Sequence, residues 1–301
     1  MLWLTRNTRT AIGQPTLIRR YIWWVLLRKS GYLGREARMV TGIRWGGFAS
    51  FGEYLWQKDA PEPALREYAR RVLTRGSTVV DIGANLGSFS LFVCSAGFEC
   101  REVYAFEPVP KTFKKLQENL AQNRFRAHVQ RLAFGAVESP EVAIAYNSDS
   151  PSTASVVGAG PCVGESTVTA RFTTIDRFFE TSGLRQVDLL KLDVEGYELE
   201  VIRGGERTFR DGWIRAICLE VCPANLRRFG HGAGELYDGL LARGFRFLLY
   251  DARSGGSLRE MSREAFCAVE LDDVLCIRQP ASDAIHTLEL TGTPHGRAGR
   301  A

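Results

Sequence analysis

Short apolar runs that end in an acidic residue recur along this chain, and amphipathic stretches of helical period lie between them. The clearest runs are Val79–Asp81, Val103–Glu107, Val187–Asp193 and Ile214–Glu220. Such runs are typical of strands in a parallel sheet, because helices bury both faces of that sheet. The alternation therefore predicts an α/β fold, in which a parallel sheet lies between two layers of helices.

Apolar residues at helical spacing predict the intervening helices. The predicted helices are Pro63–Leu73, Ser88–Ala96, a stretch that begins at Pro110, Glu198–Phe209 with an interruption at Gly204-Gly205, and Gly234–Arg243. Further predicted strands are Val129–Leu132, Val142–Tyr146, Thr167–Phe172, Phe245–Tyr250 and an edge strand at Asp273–Arg278. Residues 147–166 are rich in Ser, Gly and Pro, which predicts a functional lid, a disordered segment or a plain exposed hairpin loop.

Charge divides the chain into a basic N-terminal segment and a mildly acidic body. Residues 1–50 contain nine Arg or Lys and one acidic residue, so they carry +8. Because the whole chain carries +5, the remainder carries −3. A basic segment can meet an anionic partner or be a solvated face. We expect an accessory segment at 1–52, a catalytic domain at 53–278 and an aperiodic tail at 279–301.

The basic segment contains an aromatic, apolar stretch, Tyr21–Leu27, between Arg19, Arg20, Arg28 and Lys29. It is too short to span a bilayer, which takes about 20 apolar residues, and it lacks a signal-peptide cleavage site. Trp and Tyr beside arginines suit a peripheral contact with a membrane, and a helix packed on the body of the chain is the alternative. Seven cysteines without zinc or redox spacing indicate reduced thiols, and hence a cytoplasmic protein.

A glycine-rich turn follows the first strand, and its sequence is Val80-Asp81-Ile82-Gly83-Ala84-Asn85-Leu86-Gly87. Ligands of open α/β sheets bind at the carboxyl ends of the strands. Gly83 and Gly87 allow the backbone to approach a ligand closely, and Asp81 and Asn85 supply polar groups. A dinucleotide-binding turn would have glycine where this chain has Asn85 and Ser88, which disfavours a pyrophosphate and hence a dehydrogenase.

Glu107 ends the second strand and follows Gly87 by 20 residues. This separation is typical of an acidic residue that accepts hydrogen bonds from ribose hydroxyls. The negative charge disfavours a phosphorylated ribose, so the sequence predicts a nucleoside ligand without phosphates. The alternative is that Glu107 interacts with the N-terminus of the helix at Pro110.

Three motifs together make the chain resemble the FkbM-type methyltransferases, which are class I enzymes. These motifs are the turn from Val80 to Gly87, Ala105-Phe106-Glu107-Pro108, and Leu190-Lys191-Leu192-Asp193-Val194-Glu195-Gly196-Tyr197-Glu198. The resemblance covers roughly residues 53–278. It implies a Rossmann-like three-layer sandwich, whose seven-stranded, mostly parallel sheet has its last strand antiparallel.

The resemblance also implies a cofactor and its contacts. The cofactor would be S-adenosyl-L-methionine, with its methionine end on the turn from Asp81 to Gly87. Glu107, followed by Pro108, would hold the ribose hydroxyls. Ala133, at the end of the third strand, would lie beside the adenine.

The third motif supplies candidates for catalysis. Lys191 and Asp193 project to the same side of a strand, where they could pair. A hydroxyl acceptor must lose its proton, so Asp193 and Glu195 are candidates for acceptor orientation and base chemistry. Glu195 could instead cap the next helix. His231, between glycines in a loop, is either a base or a plain exposed residue.

These observations favour an O-methyltransferase that acts on a hydroxyl of a glycan or a secondary metabolite. An N-methyltransferase and a nucleotide-binding module without turnover are the alternatives. A nucleic-acid substrate is disfavoured, because the body is acidic and lacks an Asn/Asp-Pro-Pro-Tyr-like base pocket. Carboxylates near Glu220 could bind Mg²⁺, but nothing in the sequence demands a metal. We expect residues 1–50 and 147–166 to select the acceptor.

Overall fold

The computed structural model describes residues 37–38, 43–45, 62–147, 150–157, 166–252 and 256–279. The strands among them are β1 Ala37–Arg38, β2 Arg44–Trp45, β3 Thr78–Ile82, β4 Glu102–Phe106, β5 His128–Gln130, β6 Ala133–Phe134, β7 Ser139–Asn147, β8 Ser150–Val156, β9 Ser166–Thr173, β10 Leu189–Leu192, β11 Ala216–Val221, β12 Phe245–Asp251, β13 Ser257–Glu260 and β14 Asp272–Arg278. The helices are α1 Pro63–Val72, α2 Ser88–Ser95, α3 Pro110–Gln122, α4 Ile175–Ser182, α5 Glu198–Arg203, α6 Glu206–Arg210, α7 Pro223–Arg227, α8 Ala233–Leu241 and α9 Arg263–Cys267.

The main sheet has the strand order β13-β12-β14-β11-β10-β3-β4-β5. Its pairings from β11 through β10, β3 and β4 to β5 are parallel. The last strand, β14, pairs antiparallel with both β11 and β12. A mostly parallel sheet whose final strand is reversed is therefore confirmed.

Successive side chains of β3 enter opposite layers of the core, as the strand period requires. Val79 belongs to a buried cluster with Leu65 of α1 and Phe92 of α2. Val80 belongs to the other cluster, which contains Phe179 of α4 and residues of α5, α6, α8 and α9. The sheet thus lies between two helical layers, and the predicted three-layer sandwich is confirmed.

Two details of the predicted sheet are wrong. Within the described residues the sheet has eight strands rather than seven, because β13 returns antiparallel along β12. In addition, β14 is an interior strand and not an edge strand. The physical reason is that both of its edges are hydrogen-bonded, to β11 on one side and to β12 on the other. Its central residues Val274, Leu275 and Cys276 are accordingly fully buried.

The prediction of an irregular segment at 147–166 is also wrong in part. Residues of β8 pair antiparallel with β7, in a register that places Ile144 opposite Val156. Together with β9 and β6 they form a separate four-stranded sheet of order β6-β9-β7-β8. Cross-strand pairing here outweighs the turn-rich composition. Residues 158–165 lie outside the described part of the chain.

Part of the N-terminal segment packs on the body of the molecule. Ile43 and Trp45 are almost fully buried in a cluster with Leu116 of α3. The Asn123 side chain accepts a hydrogen bond from the Arg44 backbone N–H at 2.8 Å and donates one to the Arg44 carbonyl at 2.7 Å. The aromatic stretch at 21–27 and the tail from residue 280 lie outside the described residues.

No helix among the described residues is long and apolar enough to cross a membrane. Six of the seven cysteines lie in the described part of the chain, and all six are unpaired thiols. The prediction of reduced cysteines is confirmed for these six.

Candidate active site

A cavity opens at the carboxyl ends of β3, β4 and β10, where the sequence predicts a ligand. Seven of the predicted site residues line it, namely Gly83, Asn85, Glu107, Pro108, Ala133, Asp193 and Glu195. The edge of the parallel sheet therefore brings three sequence motifs to one space.

The turn after β3 is fixed by its backbone. The N–H groups of Gly83 and Ala84 donate to the Phe106 carbonyl at 3.1 and 2.9 Å. Gly83 has φ of 81°, which is in the left-handed region, and a Cβ there would lie 1.7 Å from the Asp193 carbonyl oxygen. The turn and the end of β10 thus touch through main-chain atoms, and only glycine permits this contact.

Replacing Gly83 by Ala should destabilise the fold and abolish binding of S-adenosylhomocysteine, the demethylated form of the cofactor that the resemblance implies. The left-handed conformation alone costs about 1–2 kcal/mol for an L-residue, and the backbone clash adds to this. Gly97→Ala is a matched control, because Gly97 has φ of 76° but no atom within 4 Å of its would-be Cβ. Urea unfolding and calorimetry would measure both effects. Equal losses in the two variants would contradict the importance of the close approach.

Glu107 is buried, and both of its carboxylate oxygens accept backbone hydrogen bonds. Oε1 accepts from Val109 N–H at 2.9 Å and Oε2 from Asn85 N–H at 3.0 Å. Burial raises the pKa of Glu107 to about 7, although these two bonds and the charge of Lys191 oppose the shift. Each oxygen keeps a lone pair for a hydroxyl donor in the cavity. The contact with Val109, the residue before α3, also shows the helix-terminus role considered above.

Lys191 lies on β10 between two carboxylates. Its Nζ is 2.9 Å from Asp193 Oδ2 and 3.7 Å from Asp81 Oδ1, and it donates to the Gly83 carbonyl at 3.3 Å. Burial alone would lower the pKa of Lys191, but the charges of Asp193 and Asp81 hold it well above its usual value. The predicted pairing of Lys191 with Asp193 is confirmed.

Asp81 lies behind the cavity wall rather than on it. It is fully buried, and the Ser90 hydroxyl donates to its Oδ2 at 2.6 Å. Burial raises the pKa of Asp81, while Lys191 and Ser90 lower it. Asp81 thus lies near Lys191 behind the wall, whereas Asn85 lines the cavity. The Asn85 Oδ1 is itself buried and has no hydrogen-bond partner in the described part of the chain.

Glu195 follows β10 and lines the cavity in a left-handed conformation, with φ of 56°. A non-glycine residue in this region is strained, and such strain concentrates at functional sites. The Asn225 amide donates to Glu195 Oε2 at 2.9 Å. Burial and the charges of Asp193 and Glu198 raise the pKa of Glu195 to about 8. Glu195 does not take the helix-capping role considered above, because no side chain of the described residues caps α5. Glu198 Oε1 instead accepts from the N–H groups of Val194 and Gly196 and so fixes the turn before the helix.

Three carboxylates converge beside the cavity. Oxygen atoms of Asp193, Glu195 and Glu220 lie within 4.8 Å of one another, a set that could hold a cation. The charge of Asp193, followed by burial and the charge of Glu195, raises the pKa of Glu220 to about 11. The four acids at the ends of the neighbouring strands β11, β10, β3 and β4 thus divide into two that line the cavity, Glu107 and Asp193, and two that do not, Asp81 and Glu220.

His231 is a predicted site residue that the structure places away from the cavity. Its Nε2 lies 3.0 Å from Glu200 Oε1 and its Nδ1 lies 3.4 Å from Glu235 Oε2. These carboxylates belong to α5 and α8, and none of the three residues lines the cavity. Gly87 also lies outside the lining, where it precedes α2 with φ of 96°.

The four-stranded sheet supplies cavity residues that sequence reasoning missed. Ala154, Ser155 and Val156 of β8 and Phe172 of β9 line one wall, and Tyr197 packs edge-on against Phe172 at 5.9 Å between ring centroids. The signal that could have located β8 is Val156-Val157, a β-branched pair inside an otherwise turn-rich segment.

Comparison with known proteins gives the following matches. Residues 81–247, more than half of the chain, match the family model described as the methyltransferase FkbM domain. The hexuronic acid methyltransferase AglP of Haloferax volcanii is 32% identical over 41% of this chain and 48% of its own length. The methyltransferase sdnD of Sordaria araneosa is 30% identical over 42% of this chain and 59% of its own. The chain thus spans about half the length of these relatives.

A structural match was also found. The crystal structure of methyltransferase FkbM from Methylobacillus flagellatus superimposes with a TM-score of 0.42 at 15% identity, over 70% of this chain and 50% of that one.

Proposed function

This chain belongs to the FkbM methyltransferase family, and from that premise we propose that it transfers a methyl group from S-adenosylmethionine to a hydroxyl oxygen of a glycan or a secondary metabolite. The observation that carries the proposal is one cavity that holds both Glu107 and Glu195. The Glu107 carboxylate is suited to accept hydrogen bonds from the ribose of the methyl donor, and the Glu195 carboxylate is suited to take the proton of the acceptor hydroxyl. That a relative is named a hexuronic acid methyltransferase supports a sugar acceptor.

The residues present fit S-adenosylmethionine. Glu107 offers two carboxylate oxygens to the ribose hydroxyls, and the unpartnered Asn85 Oδ1 is a suitable acceptor for the ammonium group of its methionine part. Gly83 brings backbone to the cavity wall where a side chain would intrude. When bound, this cofactor supplies an electrophilic methyl group on a sulfonium ion and is left as S-adenosylhomocysteine.

Glu195 is the residue that we assign as the general base. A base works best when its pKa is close to the operating pH, and the pKa of Glu195 is raised to about 8. Its carboxylate accepts the proton of the acceptor hydroxyl, so that the oxygen becomes nucleophilic and the product is a methyl ether. The Asn225 amide donates to Glu195 Oε2, and this bond leaves Oε1 for the acceptor hydroxyl. Asp193, paired with Lys191, is assigned to orientation of the acceptor.

The cofactor assignment predicts that Glu107→Gln weakens binding of S-adenosylhomocysteine by about 10–100-fold at pH 8, the value of lost hydrogen bonds to a charged group. The affinity of the wild type should increase from pH 6 to pH 8, because the ionised carboxylate accepts more hydrogen bonds and its pKa is about 7. The affinity of Glu107→Gln should lack that increase. Isothermal titration calorimetry at several pH values measures both.

Glu118→Gln is the control, because this substitution removes the same charge at an exposed position of α3. An unchanged affinity of Glu107→Gln would remove Glu107 from the cofactor site. If a labelled methyl group is transferred to amines and not to hydroxyls, the chain is an N-methyltransferase rather than an O-methyltransferase. Cofactor binding without any transfer, unaffected by substitution of Glu195, would favour a non-catalytic binding module.

A further inference from the structure

One wall of the cavity carries a hydroxyl that is backed by a positive charge. Ser155 of β8 lines the cavity and is almost fully buried. Its Oγ accepts a hydrogen bond from Arg228 Nη2 at 2.8 Å. Because Oγ is the acceptor in this bond, the Ser155 hydroxyl proton remains available as a donor.

The Arg228 guanidinium has donors to spare. Among the described residues the bond to Ser155 is its single hydrogen bond, and its Nε is buried without a partner. The guanidinium lies 5.7 Å from the centre of the Phe229 ring, and its positive charge reaches Glu195. The buried Nε–H is a donor that costs free energy unless an acceptor group satisfies it.

The other polar groups of the cavity have the opposite character. Glu107, Asp193 and Glu195 present carboxylates, which accept hydrogen bonds when ionised. These groups suit the hydroxyls of the donor and of the acceptor. The Ser155 side of the cavity is instead suited to an oxygen that carries negative charge, since a hydroxyl polarised by a guanidinium donates a strong hydrogen bond.

We propose that Ser155, oriented and polarised by Arg228, binds a carboxylate of the acceptor, so that the preferred acceptors are acidic sugars such as uronic acids. This inference rests on the proposed function, because it places the acceptor hydroxyl at Glu195 and its carboxylate at the β8 wall. Ser155 contacts the acceptor, and Arg228 is a positioning residue that acts through it.

The experiment measures binding of D-glucuronate and D-glucose, and of D-galacturonate and D-galactose, to the complex with S-adenosylhomocysteine. These pairs differ in the carboxylate alone. We expect each uronate to bind the wild type at least about tenfold more tightly than its neutral partner. Ser155→Ala and Arg228→Gln should each lose most of this preference, and Arg228→Lys should restore part of it. Binding of the neutral sugars should change little.

Arg227→Gln is the matched control, because it removes the same charge one residue earlier at an exposed position of α7. If Arg227→Gln lowers the preference as much as Arg228→Gln does, the effect is general electrostatics and the proposal is wrong. Uronates that bind no better than neutral sugars would also overturn it. If the wild type does not bind S-adenosylhomocysteine at all, the proposed function is wrong. Failure of the proposed function and failure of the uronate preference are therefore distinguishable.

Discussion

Replacing Glu195 by Gln will lower kcat for methyl transfer by about 10²–10⁴-fold, the usual contribution of a positioned general base. Glutamine has the same shape and can still accept the hydrogen bond from Asn225, but it cannot take up a proton. Binding of S-adenosylhomocysteine should stay within about twofold of the wild type, because the proposed contacts of Glu195 are with the acceptor. Single-turnover transfer of a labelled methyl group measures the rate.

The pH dependence supplies a second measurement of the same residue. A base must be unprotonated, and the pKa of Glu195 is about 8, so the wild-type rate should rise with pH through about 8 and then level off. The residual rate of Glu195→Gln should not show this rise. Glu118→Gln, which changes an exposed carboxylate, should behave like the wild type in both respects. A full rate in Glu195→Gln would assign the base to another group, and Asp193 would be tested next.

Replacing Lys191 by Met will lower the free energy of unfolding at neutral pH by about 3–5 kcal/mol, the cost of breaking a buried ion pair by removing one partner. Methionine fills a similar volume but leaves Asp81 without its cation, and the Asp81 carboxylate is fully buried. Urea denaturation measures the loss. Lys114→Met is the control, since Lys114 is exposed on α3 and its loss should cost less than about 0.5 kcal/mol.

The sign of the pH effect follows from the pKa of Asp81. Burial already raises this pKa, and removal of Lys191 raises it further, because the cation opposes the shift. The folded variant then favours the protonated acid, so its deficit relative to the wild type should be small near pH 4 and grow as the pH rises. The double variant Asp81→Asn/Lys191→Met should recover part of the loss at neutral pH. A deficit that is equal at all pH values would mean that packing, and not charge, explains it.

The sequence predicts those strands and site residues that depend on a short local pattern. Val79-Val80-Asp81 and Leu190-Lys191-Leu192-Asp193 predict both the strands and the acids at their ends, since period and position follow from the strand itself. The predicted place of Glu107 in the cavity depends on the same regularity. These parts of the fold and the site follow from short stretches of chain.

Other features depend on partners that are distant in sequence. The position of β14 between β11 and β12 depends on backbone hydrogen bonds to both of those strands. Strand β8 is stabilised by its antiparallel pairing with β7. His231 has the chemistry of a catalytic residue, but only the packing of α5 and α8 shows that its neighbours are Glu200 and Glu235. Likewise, the sequence does not reveal that Arg228 meets Ser155.

The contact between Gly83 and the Asp193 carbonyl has a consequence for how this chain can diverge. Because no atom larger than hydrogen fits between the two main chains, the stretches 81–87 and 190–195 constrain each other's backbone position. In the proposed function one stretch holds the methyl donor and the other the base, so a substitution that shifts either stretch would be accepted only with a compensating change in the other. New acceptors would then be acquired by variation on β8 and α7.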